Sequence, residues 1–78
     1  MDKKNYSAPA LDKGLDILEL LAVSSIGLTQ AEIAEHLNKS VNEIYRMLNT
    51  LKVRNYLEFD SSTDSYKLSY KLLNLSAS

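Results

Sequence analysis

Residues 29–57, TQAEIAEHLNKSVNEIYRMLNTLKVRNYL, decide the fold of this chain. Two helix starts lie in this segment, because Thr29 and Ser40 are each followed three positions later by a glutamate, the pattern of a capping box. A short break at residues 37–39 separates the two starts. A short helix, a tight turn and a longer helix form a helix-turn-helix, a unit that often carries DNA recognition.

Three residues at fixed offsets support this interpretation. Asn38 stands where the turn needs a left-handed residue, and asparagine is the best choice for that conformation after glycine. Ala34 is small enough to let the two helices approach closely, and Ile44 is the aliphatic residue that packs the second helix onto the first. The combination is more specific than either capping box alone.

Apolar residues at helical spacing predict a first helix over residues 11–23, before the motif helices at 30–37 and 41–54. Its core face is expected to hold Leu11, Leu15, Leu18 and Ala22, with Ile17 and Leu21 beside them and Leu20 turned away. The third helix is expected to bury Ile44, Met47, Leu48 and Leu51.

Short strands complete a winged domain. Leu28 is expected to pair as a strand of one or two residues, and alternating residues at 57–60 and 66–68 predict two strands joined by a polar turn. Ser69 is expected to cap a last short helix that begins at Tyr70. The predicted class is mainly α with a small β-wing: a winged helix-turn-helix with a three-helix core, a two-stranded wing and a C-terminal linker helix.

Length and composition narrow the class of protein. A chain of 78 residues makes one small domain. It has no cysteine, no apolar run of membrane-spanning length and no signal peptide, so a cytoplasmic location is expected. One histidine and two glycines provide no nucleophile–base pair, no metal site and no phosphate loop. An enzyme is not expected, and no cofactor is expected either.

The net charge of −1 does not by itself indicate nucleic-acid binding, but its distribution is uneven. Residues 1–37 hold three lysines against six carboxylates, a balance of −3, whereas residues 38–78 hold six basic side chains against four carboxylates, a balance of +2. The positive half contains the expected recognition helix. Ordinary surface charge explains this mild asymmetry about as well.

With these residues identified, the chain resembles the DNA-binding domain of the IclR family of bacterial transcription regulators. The resemblance runs from residue 10 to residue 76 and is carried by an ordered set of segments: ALDKGLDILELL at 10–21, GLTQAEIA at 27–34, YRMLNTL at 45–51, RNYL at 54–57, YKL at 66–68 and LLNL at 72–75.

The resemblance implies a domain organisation and partners. It implies a winged helix-turn-helix domain over residues 10–69 and a linker helix over 70–78; the polar, unpatterned residues before them predict a flexible arm over 1–9. It also implies double-stranded DNA as the partner and a homodimer formed through the first helix and the linker helix, which Ile17 and Leu20 would favour. The larger effector domain that follows in this family is absent from the chain, which is either a fragment or a short stand-alone relative.

Base contacts are expected from the exposed face of the third helix. Arg46 can bind O6 and N7 of guanine, and its alternative role is a surface ion pair with Glu43. Asn42 and Asn49 can contact adenine or phosphate, or can simply be solvated. Tyr45 can contact a phosphate or a thymine methyl, or can pack against the wing.

Phosphate contacts are expected from helix starts, surface lysines and the wing. Helix N-termini present free backbone N–H groups and partial positive charge, which favours phosphate. The expected phosphate contacts are Thr29, Gln30, Lys39, Ser40, Lys52, Arg54, Thr63 and Lys67, although each lysine and Arg54 has an alternative as an ordinary surface charge. Glu43 is expected to cap its helix rather than to contact a cytosine.

A second class of function stays open, namely a winged-helix protein-interaction module with weak or no DNA binding. Relatives usually carry lysine and a hydroxyl residue early in the recognition helix, where this chain has Val41, Asn42 and Glu43. The wing carries Asp60 and Asp64. A salt titration discriminates the two functions, because phosphate binding weakens steeply with salt.

Overall fold

The computed structural model describes residues 8–72. Its elements follow the order α1, Pro9–Val23; β1, Leu28–Thr29; α2, Gln30–Leu37; α3, Val41–Val53; β2, Leu57–Asp60; and β3, Ser65–Leu68. The described part ends within a helical turn at residues 70–72. The three helices and the β2–β3 wing confirm the predicted winged helix-turn-helix. No helix among residues 8–72 is long and apolar enough to cross a membrane.

The helix α1 buries a different face from the one expected. Ile17 and Leu21 are its buried residues, and Leu18 and Leu20 pack against the core, so the expectation that Leu20 turns away from it was wrong. Leu11 is 61% exposed and Leu15 is 43% exposed, so the expectation that they belong to the core was wrong. Ala22 is exposed as well. The helix carries apolar residues on adjacent stripes, and the packing of α3 and β3 against it selects the stripe with Ile17 and Leu21.

Both capping boxes form. At the start of α2 the Glu32 backbone N–H donates to Thr29 Oγ1 at 3.1 Å, and the Thr29 N–H donates to the Glu32 carboxylate at 2.8 Å. The same reciprocal pair joins Ser40 and Glu43 at the start of α3. These bonds satisfy backbone donors that a helix start otherwise leaves without partners, so both helix starts are defined locally.

The turn between α2 and α3 has the predicted left-handed residue. Asn38 adopts φ 55° and ψ 47°, and its N–H donates to Glu35 O at 3.2 Å. The next N–H, of Lys39, donates to Ala34 O at 2.9 Å. These bonds close the end of α2 and redirect the chain into α3, as the sequence predicted.

A single hydrophobic core joins all six elements. Ile17, Ile33, Ile44 and Leu48 have no exposed surface, and Ala34 is buried where α2 approaches α3. The partly buried residues around this centre are Leu18, Leu20, Leu37, Met47, Leu51 and Leu68. The predicted contributions of Ala34, Ile44, Met47, Leu48 and Leu51 are confirmed.

The sheet has three antiparallel strands in the order β1-β3-β2. Leu28 pairs with Tyr66, which confirms the expected short first strand. Gly27 lies against β3, because a Cβ atom at this position would stand 2.7 Å from Ser65 Oγ and 3.2 Å from Tyr66 O. This close approach lets β1 lie beside the wing and joins the wing to the start of α2.

A hydrogen-bonded corner holds the base of the wing. The Ser69 N–H donates to Tyr56 O at 3.0 Å and its hydroxyl donates to Asn55 O. The Lys71 N–H donates to Ser69 Oγ at 3.2 Å, so Ser69 caps the helical turn that begins at residue 70, as expected. The rest of the expected linker helix, and residues 1–7 of the expected arm, lie outside the described residues.

Candidate nucleic-acid interface

The exposed face of α3 presents a polar strip. Asn42, Arg46 and Asn49 are all exposed and lie on the side opposite the buried Ile44 and Leu48. Within residues 8–72 the Arg46 guanidinium makes no hydrogen bond or ion pair. A planar cation with five unsatisfied N–H donors is therefore presented to solvent between two amide side chains.

The carboxylate expected to compete for Arg46 has other partners. Glu43 Oε2 lies 2.9 Å from Lys13 Nζ of α1, and Oε1 accepts the N–H and the hydroxyl of Ser40 at 3.1 and 3.2 Å. The hydrogen bond from Lys13 and the backbone hydrogen bond from Ser40 lower the pKa of Glu43 from 4.5 to about 2. The expected capping role is confirmed, whereas the alternative ion pair between Arg46 and Glu43 does not form.

Gln30 connects the two helices of the motif. Its side-chain Nε2 donates to Val41 O at 3.2 Å, which ties the first turn of α3 to the start of α2. The amide oxygen of Gln30 makes no hydrogen bond within the described residues and can still accept one from a partner. The sequence indicated Gln30 only as a phosphate contact, and this bridging role was not apparent from it.

The hydroxyls of Thr29 and Ser40 are engaged in the capping boxes described above. A phosphate at either helix start would therefore meet the remaining backbone N–H groups of the first turn and a hydroxyl that already accepts a hydrogen bond. Thr29 and Gln30 also line a cleft of about 300 Å³ between α2 and the wing, together with Ala31, Phe59, Asp64 and Tyr66.

The lysines differ in their surroundings. Lys39, in the turn, is exposed and makes no ion pair within residues 8–72. Lys52 Nζ lies 5.3 Å from the centre of the Phe59 ring, a cation–π contact that joins α3 to β2. Lys67 Nζ lies 3.9 Å from a Glu58 carboxylate oxygen, and both side chains are well exposed. Exposed pairs of this kind exchange partners readily.

Tyr45 is 53% exposed, so packing against the wing does not bury it. The buried aromatic residue on the wing is Tyr66, whose ring lies 4.9 Å from that of Phe59. Burial raises the pKa of Tyr66 above its ordinary value of 10.0. The phenol of Tyr45 consequently stands beside the polar strip, where a neighbouring molecule can reach it.

The wing tip is organised by its own side chains. Asp60 Oδ1 accepts the Ser62 N–H at 2.9 Å and the Ser62 hydroxyl at 2.7 Å, and these bonds lower the pKa of Asp60 below its ordinary value of 3.8. Thr63 Oγ1 lies 2.7 Å from Ser65 Oγ. The predicted wing residue Thr63 is therefore exposed but locally bonded, and Asp60 is turned into its own loop.

The predicted site residues lie in three regions of the fold. The helix α3 holds Asn42, Tyr45, Arg46, Asn49 and Lys52. The helix starts and the turn hold Thr29, Gln30, Lys39 and Ser40, and the wing holds Thr63 and Lys67. No group of three or more histidine, aspartate or glutamate side chains among residues 8–72 is arranged to hold a metal ion. No local pattern in the sequence indicated Lys13, because its partner Glu43 lies thirty positions away.

Known proteins resemble both the sequence and the fold. The family model described as the IclR helix-turn-helix domain matches residues 10–61. The chain is 49% identical over 57 residues to the HTH-type transcriptional regulator BhcR of Paracoccus denitrificans, a match that covers 73% of this chain and 20% of that protein.

Solved structures agree with this match. The IcIR transcriptional regulator from Alicyclobacillus acidocaldarius superposes with a TM-score of 0.87 at 29% identity, over 92% of this chain and 29% of that one. An IclR family transcriptional regulator from Brucella abortus superposes with a TM-score of 0.84 at 25% identity, over 99% and 29% of the two chains. The chain thus spans between a fifth and a third of the length of these relatives.

Proposed function

The chain belongs to the IclR helix-turn-helix family, and from that premise we propose that it is the sequence-specific DNA-binding domain of a bacterial transcription regulator. In this proposal α3 enters the major groove of operator DNA. The observation that carries it is the exposed guanidinium of Arg46, which makes no ion pair with any residue between 8 and 72 and stands between Asn42 and Asn49.

Arg46 is the proposed guanine contact. An arginine that enters the groove can donate two parallel hydrogen bonds to O6 and N7 of guanine. Because the side chain has no partner among the described residues, binding breaks no ion pair in that part of the chain. Asn42 and Asn49 flank it on the same strip and are the proposed contacts to adenine or to a nearby phosphate.

Phosphate contacts are proposed to position the helix. Lys39 and the first turns of α2 and α3, at Thr29, Gln30 and Ser40, form the proposed contact with one phosphate strand. Lys52, Lys67 and Thr63 extend from α3 to the wing and are proposed to contact the backbone there. Lys52 would keep its position over Phe59, and Lys67 would exchange Glu58 for a phosphate oxygen.

A homodimer is part of the same proposal. Ile17 and Leu20, which first suggested a subunit contact, pack in the chain's own core. Leu11 and Leu15 are exposed apolar residues on one stripe of α1, and these now carry the proposed contact with a second copy, together with the linker helix. Analytical ultracentrifugation tests the dimer: a parent dimer that Leu15→Glu converts to monomer supports this face, and an unchanged dimer argues against it.

A cytoplasmic location is proposed for the regulator.

Selection of bound sequences from a random DNA pool, at low and moderate salt, tests the main proposal. We expect an enriched motif containing guanine and an affinity that falls steeply with salt. Arg46→Ala should weaken binding to that motif by about 1–3 kcal/mol, roughly 5- to 150-fold, and should relax the preference for guanine. No DNA retention at low salt would overturn the proposal in favour of a protein-interaction module.

Arg54→Ala is the matched control. Arg54 is also an exposed arginine, but it lies at the C-terminal cap of α3, beyond the polar strip. Its replacement should leave the base preference unchanged and alter affinity uniformly, if at all. If the two variants lost the same base preference, or if neither did, the assignment of Arg46 to the groove would be wrong.

A further inference from the structure

The ion pair between Lys13 and Glu43 joins α1 to the first turn of α3. Lys13 Nζ lies 2.9 Å from Glu43 Oε2, with the two side chains 27% and 42% exposed. The other carboxylate oxygen, Oε1, accepts both hydrogen bonds from Ser40. Both oxygens of Glu43 therefore have partners in the chain itself, and the carboxylate is directed along the flank of α3 that faces α1.

A carboxylate at this position affects DNA binding in two opposite ways. As the third residue of the capping box it stabilises the start of α3. It also places a negative charge at a helix N-terminus, where the unpaired N–H groups and the helix dipole would otherwise attract a phosphate. A charge in this position repels a phosphate strand unless a neighbouring cation compensates for it.

We propose that Lys13 is a positioning residue for DNA recognition, which holds the Glu43 carboxylate against α1 and neutralises it so that the first turn of α3 can approach a phosphate strand. The inference rests on the proposed DNA-binding function and deepens it. Lys13 acts through Glu43 and does not itself contact the DNA.

Stability alone does not account for this pair. Partly exposed ion pairs contribute little to folding free energy, and the start of α3 is already defined by its capping box. The pair does, however, fix where the negative charge lies. Because Glu43 is held by both Ser40 and Lys13, it is also prevented from reading a cytosine amino group, which leaves sequence reading to Arg46 and its neighbours.

A double-mutant cycle on binding to the selected DNA tests the inference, with Lys13→Met, Glu43→Gln and the double variant. Glutamine at the third position still completes a capping box, so α3 keeps its start. We expect Lys13→Met to weaken binding roughly fivefold at low salt. This factor corresponds to the repulsion between two unit charges in contact in water without screening by salt. Glu43→Gln should bind as tightly as the parent or tighter, and adding Lys13→Met to it should have no further effect.

Two further variants distinguish a positioning role from other roles. Lys13→Arg should restore parent affinity, since it keeps the charge. Lys67→Met should weaken binding by the same factor with or without Glu43→Gln, because Lys67 is proposed to contact phosphate directly.

The fivefold effect of Lys13→Met should also diminish as salt rises, because salt screens the exposed carboxylate. The active fraction of each variant is measured by titration against DNA at a concentration well above Kd, at a temperature below the unfolding transition.

The outcomes separate the inference from the proposed function. If the parent binds its selected DNA but Lys13→Met costs the same factor in both backgrounds, Lys13 contacts phosphate directly and the inference is wrong, whereas the proposed function stands. If Glu43→Gln itself weakens binding strongly, Glu43 reads a base and the inference is again wrong. If the parent does not bind DNA at low salt, the proposed function and the inference fail together.

Discussion

Replacement of Asn38 tests the geometry that turns α2 into α3. Its backbone lies in the left-handed region, at φ 55° and ψ 47°, and the hydrogen bonds from Asn38 and Lys39 to the end of α2 hold it there. Alanine in this conformation is disfavoured by about 1–2 kcal/mol, and asparagine by somewhat less. Asn38→Ala should therefore reduce the free energy of unfolding by about 1 kcal/mol, and Asn38→Gly should be at least as stable as Asn38→Ala.

Urea and thermal unfolding followed by circular dichroism measure the effect. In a domain of this size about 1 kcal/mol corresponds to a decrease in Tm of about 4–8 °C. Asn42→Ala is the matched control, since Asn42 is an exposed asparagine within α3 and should change stability by less than about 0.5 kcal/mol. An Asn38→Ala variant as stable as the parent, or a glycine variant less stable than the alanine variant, would refute the reasoning.

Two other predictions concern the wing and pH. Gly27→Ala should reduce the free energy of unfolding by about 1–3 kcal/mol, because its new methyl group would stand 3.2 Å from the Tyr66 carbonyl oxygen and closer still to Ser65; unchanged urea unfolding would contradict this close approach. The pKa of Glu43 is lowered to about 2 in the folded chain, so its contribution to stability is complete above pH 4.5 and is lost as pH falls from 4.5 towards 2. The Tm should decrease over that interval, and less so in Glu43→Gln; equal slopes for both proteins would contradict it.

Local signals were sufficient to predict the helix-turn-helix. The capping boxes at Thr29 and Ser40 define helix starts by hydrogen bonds within four residues, and the conformation of Asn38 is a property of its own backbone and side chain. Such features do not depend on how the rest of the chain packs. The boundaries of α2, α3 and the wing strands were accordingly close to those observed.

The buried face of α1 was not predictable in the same way. Leu11 and Leu15 continue one apolar stripe along the helix, and Ile17 and Leu21 form another beside it. Helical spacing predicts that the helix is amphipathic but does not say which stripe meets the core when the apolar arc is broad. The position of α3 and β3 decides it, and this depends on the whole fold. The stripe that the core does not use is the proposed contact with a second copy.

The net negative charge of the chain was the main reason for considering a protein-interaction module. The structure shows that this net charge says little about the surface proposed to meet DNA. A phosphate strand responds to the charges it meets, and a net charge of −1 does not describe these. On the polar strip of α3 the charged side chain is Arg46, because Glu43 is turned towards Lys13 on the flank. The carboxylate of Asp60 is likewise turned towards Ser62 in its own loop. The local field along the polar strip of α3 is therefore more favourable to DNA than the composition suggests, and it depends on α1, which supplies the compensating lysine.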